Sequence, residues 1–293
     1  MKARLSELKN METTKKYNCP FHYIGGKSKL LPQILPLIDS FDPELVVDLF
    51  SGGFSVGLNC KCRTVICNDK NNRFIDLLNW LYSEKKENIL VKIDDEITKR
   101  SLSKTNEFSY IQLKEDYNKK PSPLLLFLLI SFSFNHQMRF NNNGLFNTPF
   151  GKNRSSYNKK TKDSLSFFID KIQRKKVTFF SKDFAKIRIT NKKGLVFVDP
   201  PYLLSTGSYN DGNRGIVSWD VNDEKRLYDY LKLLDSEGVK FILTNFVKVG
   251  HKENEILKQF CANYKTILLK SDYSNSNYQK KKIEQQEILV RNF

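Results

Sequence analysis

The tetrad Asp199-Pro200-Pro201-Tyr202 brings together residue types that suit chemistry on an amine. It follows the apolar run Leu195-Val196-Phe197-Val198, which predicts a buried strand. The two prolines fix the backbone at the strand end, because each locks its own φ and neither donates an N–H. A carboxylate and a main-chain carbonyl held there can accept both hydrogens of an exocyclic amine. The nitrogen is then pushed towards tetrahedral geometry and its lone pair is freed.

Transfer of a methyl group from a sulfonium donor fits this arrangement. The methyl is already electrophilic, so the protein supplies alignment and electrostatics and needs neither a metal nor a nucleophilic side chain. Tyr202 would offer an aromatic face to a substrate base, and a base in a duplex reaches such a pocket only by flipping out of the helix. Because Asp-Pro turns at strand ends are also ordinary structural features, the tetrad alone does not indicate an enzyme.

A Gly-rich turn after another predicted strand supports a ligand site. Residues 45–49 form an apolar strand that runs into Ser51-Gly52-Gly53, where glycine lets a ligand approach the backbone. The next strand, residues 64–66, leads to Asp69, about twenty residues after the first strand, where a carboxylate can accept hydrogen bonds from both hydroxyls of a ribose. Asp69 also suits the N-cap of the helix that follows. The turn lacks the spaced glycines of a dinucleotide fingerprint, which argues against NAD.

Short apolar runs alternate with helical segments, which predicts an α/β fold with a doubly wound, Rossmann-like sheet of about seven strands. The alternation stops between residues 81 and 164, where a buried helix is predicted over residues 124–134. We therefore expect residues 1–80 and 165–293 to form one domain, with residues 81–164 as an inserted, mostly helical subdomain. The predicted strands are residues 45–49, 64–66, 177–180, 195–198, 240–244, 266–269 and 287–290.

The chain is strongly basic: 49 Lys and Arg against 32 Asp and Glu leave a net charge of +17. Such a charge favours a polyanionic partner through counterion release, with DNA, RNA and anionic membranes all open. Residues 151–195 alone hold fourteen Lys or Arg and three Asp, a balance that suits phosphate contacts, although a solvated surface is the alternative.

Other features narrow the class of protein. The most apolar stretch has eleven residues, well short of the roughly 20 that span a bilayer, so we expect no membrane partner. The first residues show no secretory signal. Five irregularly spaced cysteines predict free thiols in a reducing cytoplasm. None of the three histidines lies at ligand spacing near Cys60, Cys62 and Cys67, so no metal is expected.

The order of motifs resembles that of the Dam-like DNA adenine-N6 methyltransferases over nearly the whole chain. The resemblance implies S-adenosylmethionine as methyl donor, double-stranded DNA as partner, a flipped adenine as acceptor and a cytoplasmic protein of prokaryotic or phage type. It implies either a solitary enzyme or the modification half of a restriction system, whose endonuclease would act separately on the same site. The motifs are Phe21-His22-Tyr23-Ile24-Gly25-Gly26-Lys27, Asp48-Leu49-Phe50-Ser51-Gly52-Gly53, Asn68-Asp69-Lys70-Asn71, Arg139-Phe140-Asn141 with Gly144, Phe146-Asn147, Pro149 and Gly151, Asp199-Pro200-Pro201-Tyr202 and Glu287-Ile288-Leu289-Val290-Arg291-Asn292.

The same resemblance implies three groups of site residues. The catalytic residues would be Asp199, Pro200, Pro201 and Tyr202. The S-adenosylmethionine site would comprise Tyr23, Lys27, Asp48, Phe50, Gly52, Asp69, Asp183, Phe184 and Asp199, with Asp183-Phe184 against the adenine. Residues 81–164 would be the DNA target-recognition subdomain, and the DNA contacts would be Arg139, Asn141, Asn143, Asn147, Lys152 and Arg154.

Asn143 departs from the family pattern. Members that read GATC commonly carry Arg immediately before the glycine of the recognition signature, and Arg reads guanine whereas Asn suits adenine. The recognition sequence is therefore open, with CATG or another short site as alternatives to GATC. We also expect residues 205–215, rich in Gly and small polar residues, to be a loop that DNA orders, an idle surface loop being the alternative. Lys280-Lys281-Lys282 would contact phosphate.

Three other functions compete. Methylation of cytosine N4 or of RNA adenine needs similar amine chemistry, but enzymes of those kinds tend to resemble Ser-Pro-Pro-Tyr and Asn-Pro-Pro-Tyr, so Asp199 argues against both. A catalytically idle DNA-binding module is a different class of protein, and the intact tetrad and cofactor turn argue against it.

Overall fold

A computed structural model of the chain describes residues 20–21, 23, 25–204, 219–270 and 284–293, and the backbone of residues 209–210 and 216–217. The predicted loop of residues 205–215, apart from that backbone, and Lys280-Lys281-Lys282 lie outside the described residues.

The helices are α1 (Leu31–Phe41), α2 (Ser55–Asn59), α3 (Asn72–Ser83), α4 (Lys86–Lys99), α5 (Glu107–Lys119), α6 (Pro123–Phe132), α7 (Lys159–Gln173), α8 (Val221–Ser236) and α9 (Glu255–Cys261). The strands are β1 (Leu45–Asp48), β2 (Thr64–Asn68), β3 (Lys176–Phe180), β4 (Gly194–Val198), β5 (Tyr209–Asn210), β6 (Ile216–Val217), β7 (Lys240–Val249), β8 (Lys252–Glu253), β9 (Lys265–Leu268) and β10 (Gln285–Arg291).

The main sheet has the strand order β3-β2-β1-β4-β7-β10-β9, with β8 paired to β7 and with β5 and β6 forming a separate ribbon. All seven predicted strands are present in it. Neighbours from β3 to β7 are parallel, whereas β10 runs antiparallel to both β7 and β9. The strand order reverses between β1 and β4, because the chain moves outward through β2 and β3 and then returns to the other side of β1. Open α/β sheets bind ligands outside the carboxyl ends of strands at such a switch point.

Helices cover both faces of this sheet, which confirms the doubly wound architecture. Side chains alternate along a strand, so successive residues enter different cores. In β1, Val46 packs in the cluster that contains Leu31 of α1 and Phe74 of α3, whereas Val47 packs in the cluster that contains Leu231 of α8. Each core is thus closed by the helix that follows or precedes a strand in the sequence.

Residues 81–164 contain the three helices α4, α5 and α6, as expected from the lapse in alternation. Their buried residues, such as Ile93, Leu113 and Leu129, belong to the same core as α1, α3 and α7. The predicted helix of residues 124–134 ends two residues early, at Phe132, because Ser133 has an extended backbone with φ −74° and ψ 158°. The chain then turns away from the helix.

The turn leads into a segment that we call the recognition hairpin (residues 133–151), which is docked on α5. Asn118 of α5 accepts a hydrogen bond from the Phe146 N–H at 2.8 Å and donates one to the Phe146 carbonyl at 3.1 Å. The Tyr110 hydroxyl donates to the Thr148 carbonyl at 2.9 Å. These bonds satisfy buried backbone groups of an irregular segment and hold it in one position.

We predict that Asn118→Ala loosens the recognition hairpin. The N–H and C=O of the buried Phe146 lose their partners together, which should lower the free energy of unfolding by about 1–3 kcal/mol. Urea denaturation measures this loss, and amide hydrogen exchange at Phe146 should accelerate. The exposed neighbour substitution Asn142→Ala is the control, and unchanged exchange at Phe146 in Asn118→Ala would contradict the anchoring role.

Candidate functional site

Three carboxylates meet at the switch point. Asp48 ends β1, Asp69 directly follows β2 and Asp199 directly follows β4. Because these three strands are parallel neighbours, their carboxyl ends lie at one edge of the sheet. The site therefore arises from backbone topology, with one acidic residue delivered by each of three strands.

The Asp199 carboxylate is anchored through one oxygen. Three donors reach Oδ1: the Lys27 ammonium at 2.8 Å, the Tyr202 hydroxyl at 2.9 Å and the Thr244 hydroxyl at 2.9 Å. Within the described part of the chain, nothing donates to Oδ2 of Asp199 or to the carbonyl of Pro200. The carboxylate is thus held firmly while one of its oxygens and the adjacent carbonyl keep their capacity to accept hydrogen bonds.

Glu287 completes this cluster, and we did not predict it as a site residue. It is fully buried, and its Oε1 lies 2.8 Å from the Tyr202 hydroxyl and 3.6 Å from Lys27 Nζ. The single proton of that hydroxyl is shared between Glu287 Oε1 and Asp199 Oδ1. The reversed direction of β10 brings its first residues to the carboxyl ends of the parallel strands, and an irregularity in the β10–β7 register falls between Gln286 and Glu287. The sequence signal that could have pointed to Glu287 is an acidic residue immediately before the apolar run Ile288-Leu289-Val290.

Tyr202 lies inside the cluster. Burial, together with the nearby carboxylates of Asp199 and Glu287, raises the pKa of Tyr202 well above its usual value, so the phenol keeps its proton and acts as a donor. Its ring packs edge-on against Phe246, with centroids 4.7 Å apart, and the Lys27 ammonium lies 4.8 Å from its centroid. The side chain is 7% exposed, so most of its ring is engaged by the protein. Stacking of a substrate base on Tyr202 stays a prediction.

Lys27 links the two carboxylates. It is buried, and it also donates to the Gly25 carbonyl at 3.1 Å across the Gly-Gly turn that precedes it. The Lys27 ammonium thus lies close to both the Asp199 and the Glu287 carboxyl groups. Acidic side chains at this end of the sheet favour a cationic ligand.

The Gly-rich turn is shaped by Asp69. The Gly52 N–H donates to Asp69 Oδ2 at 2.8 Å and the Asn71 N–H donates to Oδ1 at 2.9 Å. Gly52 has φ +45°, and a Cβ there would lie 3.0 Å from the Tyr23 ring, so a side chain is excluded on two grounds. Asn71 is the N-cap of α3, since it accepts from the Phe74 N–H, and the alternative role of Asp69 as that cap is wrong.

Asp48 is buried beneath the turn, at 2% exposure, and accepts a hydrogen bond from the Gly57 N–H at 2.9 Å. Burial raises the pKa of the Asp48 carboxyl to about 7, with Asp199 and Asp69 adding to the shift and the Gly57 bond opposing it. The structure thus places Asp48 under the predicted cofactor site, where it holds the first turn of α2.

The other predicted cofactor residues are Phe50, Asp183 and Phe184, and they lie together on the opposite side of β1. The Phe50 and Phe184 rings pack with centroids 5.5 Å apart. Asp183 accepts from the Ala185 N–H at 3.1 Å and pairs with Arg226 at 3.0 Å, and the Arg226 guanidinium lies 5.1 Å from the Phe184 centroid. Prediction from the sequence missed Arg226, and it also missed Trp219, which packs against both phenylalanine rings.

The predicted DNA-contact residues lie in and just after the recognition hairpin. Asn141 shapes its turn, because Oδ1 accepts from the N–H groups of Asn143 and Leu145, both at 3.0 Å. Gly144, in the same turn, has φ +72°. The remaining predicted residues all have exposed side chains: Arg139, Asn143, Asn147, Lys152 and Arg154.

Part of the basic stretch of residues 151–195 is engaged within the protein. Lys162 pairs with Asp94, Lys193 pairs with Glu44 at 2.9 Å, and Lys175 donates to the carbonyl of Cys60 at 2.9 Å. These lysines stabilise local structure. The basic residues that flank the hairpin are therefore better candidates for phosphate contacts than the stretch as a whole.

Three further observations cover only the described residues. Cys60, Cys62, Cys67 and Cys261 are free thiols. No group of three or more His, Cys, Asp or Glu side chains in those ranges is arranged to hold a metal ion. The helices in those ranges are all too short or too polar to cross a membrane.

Comparison with known proteins gives a consistent family. A profile described as "D12 class N6 adenine-specific DNA methyltransferase" matches residues 23–287. "Modification methylase StsI" of Streptococcus sanguinis is 38% identical over 97% of this chain, and "Type II methyltransferase M.FokI" of Planomicrobium okeanokoites is 39% identical over 98% of it. The chain spans 44% of the length of each of these two relatives. "DNA adenine methylase" of Escherichia coli (strain K12) is 25% identical, with 79% of this chain and 81% of the relative covered.

We predict that Asp48→Asn stabilises the protein increasingly as pH rises. The pKa of Asp48 is raised from 3.8 to about 7 in the folded state, so the native state binds this proton more tightly than the unfolded state does. The stability that the wild type gains from the bound proton is lost as the pH rises through 7. Asn does not titrate and still accepts from the Gly57 N–H. The difference in unfolding free energy between variant and wild type should grow by about 3 kcal/mol from pH 5 to pH 8.

Chemical denaturation across this pH range measures the difference. Asp229→Asn, at an exposed carboxylate of α8, is the control and should show almost no trend. A pH-independent difference for Asp48→Asn would show that Asp48 is not held in its neutral form.

Proposed function

Because the chain belongs to the D12 class N6 adenine-specific DNA methyltransferase family, we propose that it transfers a methyl group from S-adenosylmethionine to the N6 amine of adenine in a short duplex DNA site. The anchoring of Asp199 is the observation that carries this proposal. Three donors hold Oδ1, and none of the described residues donates to Oδ2 or to the carbonyl of Pro200, the next residue in the chain. This pair matches the two hydrogens of an exocyclic amine.

In the proposed reaction Asp199 and Pro200 act on the amine directly. Oδ2 and the Pro200 carbonyl each accept one N6 hydrogen, so the nitrogen lone pair is directed away from the ring plane. S-adenosylmethionine supplies an electrophilic methyl on a sulfonium, and the carbon–sulfur bond breaks as the nitrogen–carbon bond forms. The amine then loses one proton, and Asp199, already hydrogen-bonded to it, is the acceptor that we assign.

The surrounding residues orient Asp199 and balance its charge. Lys27, Tyr202 and Thr244 fix the carboxylate in position, and Glu287 in turn holds Lys27 and Tyr202. The acidic side chains beside Lys27 suit a sulfonium cation and attract the donor less once it is a neutral thioether. The site therefore favours the reactive form of the cofactor.

The turn and its neighbours fit S-adenosylmethionine. The Tyr23 ring lies against Gly52, and we propose that Asp69, which borders the same turn, accepts hydrogen bonds from the ribose hydroxyls of the cofactor. We propose that Phe50 and Asp183-Phe184 hold the adenine of the cofactor, that Lys27 and Asp199 lie on its amino-acid side, and that Asp48 supports the turn from below.

We propose that residues 81–164 form the target-recognition subdomain and that residues 1–80 and 165–293 form the catalytic domain. The exposed side chains of the recognition hairpin would contact double-stranded DNA. Asn143 does not favour GATC as the recognised site. Relatives whose names identify them as modification methylases support a role in a restriction system, with an endonuclease acting separately on the same cytoplasmic DNA.

One experiment tests the reaction itself. The purified chain receives isotopically labelled S-adenosylmethionine with plasmid DNA, total RNA or neither, and the modified nucleosides are separated. We expect label in N6-methyladenine from DNA. Label in N4-methylcytosine, label in RNA alone, or cofactor binding without transfer would each replace this proposal with one of the competing functions.

We predict that Asp199→Asn lowers kcat at least about 100-fold, because an amide cannot present two ionised acceptors to the amine and the Lys27 contact. DNA affinity at low salt should persist, since phosphate contacts lie elsewhere. Single-turnover methylation and filter binding measure the two effects. Asp163→Asn, at an exposed carboxylate of α7, is the matched control, and near-normal turnover in Asp199→Asn would refute the assigned role.

We predict that Arg139→Ala weakens DNA binding and reduces the slope of log K against log salt by about one, as expected for one lost phosphate or base contact. Lys193→Ala is the control, because it removes the same charge at the amino end of β4, the end of the strand opposite to Asp199. It should leave the slope unchanged. Equal slopes for the two variants would show that Arg139 of the recognition hairpin does not contact DNA.

A further inference from the structure

Glu224 is a fully buried carboxylate that the proposed mechanism does not use. It lies in the first turn of α8, and none of the described cations pairs with it. Four neutral donors surround it. The Tyr228 hydroxyl, Asn245 Nδ2 and Asn254 Nδ2 all meet Oε1, whereas Oε2 receives Trp219 Nε1.

A carboxylate without a cationic partner is costly to bury, and hydrogen bonds must replace the lost water. The first turn of α8 adds a favourable helix dipole. Packing alone does not require this arrangement, because an apolar side chain could fill the same space. The division of donors is informative: three of them fix Oε1, and Oε2 is left to a single indole.

The indole that Glu224 holds belongs to an aromatic triad, which we define as Phe50, Phe184 and Trp219. Trp219 meets Phe50 at 5.7 Å and 82° and Phe184 at 6.0 Å and 48°. Phe184 is buried, but Phe50 and Trp219 are only half-buried, so the triad keeps an open surface beside β1. The two phenylalanines are the residues that we propose for the adenine of the cofactor.

We propose that Trp219 forms a third aromatic wall of the cofactor's adenine site and that Glu224 is a positioning residue that sets the indole through Oε2. This inference rests on the proposed function, because it names a further contact in the same cofactor site. The bond to Nε1 fixes the rotation of the indole, and the three donors on Oε1 fix the carboxylate. Cofactor affinity therefore depends on a residue that does not touch the cofactor.

The chain has two tryptophans, so the fluorescence emission of Trp219 can be isolated by replacing the other one. Trp80 also donates its Nε1 to a glutamate, Glu84, but it lies in α3 away from the triad. Trp80→Phe therefore leaves Trp219 as the single indole and doubles as a matched control. In Trp80→Phe, S-adenosylhomocysteine should change the Trp219 emission and saturate at the Kd measured by calorimetry, with a Kd close to that of the wild type.

Glu224→Gln tests the positioning role. Its carbonyl oxygen can still accept from the three donors at Oε1, but its NH2 group then faces the indole N–H, and two donors repel. We expect Glu224→Gln and Trp219→Ala each to raise the Kd for S-adenosylhomocysteine and the KM for S-adenosylmethionine roughly 5- to 10-fold, the range of one aromatic contact. The value of kcat should stay within about twofold of the wild-type value, because the lost contact stabilises the bound ground state and the transition state equally.

The double variant Trp219→Ala/Glu224→Gln separates positioning from general support. If Glu224 acts through the indole, the double variant binds no more weakly than Trp219→Ala. Additive losses would show that Glu224 acts independently and would overturn its role. Circular dichroism checks folding, and if Glu224→Gln fails to fold, Trp219→Ala and the emission of Trp80→Phe still decide whether the wall exists.

The outcomes also separate this inference from the proposed function. Normal cofactor binding in Trp219→Ala, or Trp219 emission that does not respond to S-adenosylhomocysteine, overturns the aromatic wall and leaves the methyltransferase proposal intact. A wild-type chain that binds neither S-adenosylmethionine nor S-adenosylhomocysteine overturns both.

Discussion

The ion pair between Lys27 and Asp199 is the interaction on which the rest of the site depends. Both groups are largely withdrawn from water, which is unfavourable unless geometry and hydrogen bonds compensate. Tyr202, Thr244 and Glu287 provide that compensation, and each comes from a different part of the sheet edge. The pair therefore forms only when β4, β7 and β10 are in register, so folding of the sheet and assembly of the site are the same event.

The sheet was predictable because its strands are short, apolar and separated by helical segments, and the residues at strand ends follow directly. Asp48, Asp69 and Asp199 could be placed at one edge once the strands were taken as parallel neighbours. The sequence does not show which strand reverses, because strand direction depends on pairing between distant segments. Glu287 entered the site through the antiparallel β10, and the acidic residue before an apolar run does not by itself reveal the direction of the strand.

Side-chain partners were harder to predict than positions. Asp48 and Asp69 were expected at the cofactor site, which stays a prediction, and the structure shows that their carboxylates accept hydrogen bonds from the backbone N–H groups of Gly57 and Gly52. The same carboxylates thus shape the turn that they border. Trp219 was missed because its contact with Phe50 joins residues more than 150 positions apart. Glu224 was missed because two of its donors, Asn245 and Asn254, lie outside α8 and reach it only in the folded protein.

In the proposed reaction, Asp199 Oδ2 and the Pro200 carbonyl accept the two N6 hydrogens of an extrahelical adenine. A crystal structure of the protein with S-adenosylhomocysteine and a duplex carrying the mapped methylation site tests this most directly. We expect N6 at about 2.7–3.2 Å from both oxygens, with Lys27 still on Oδ1. An adenine that is flipped out but held by other groups, with N6 beyond hydrogen-bonding distance of Asp199, would contradict it.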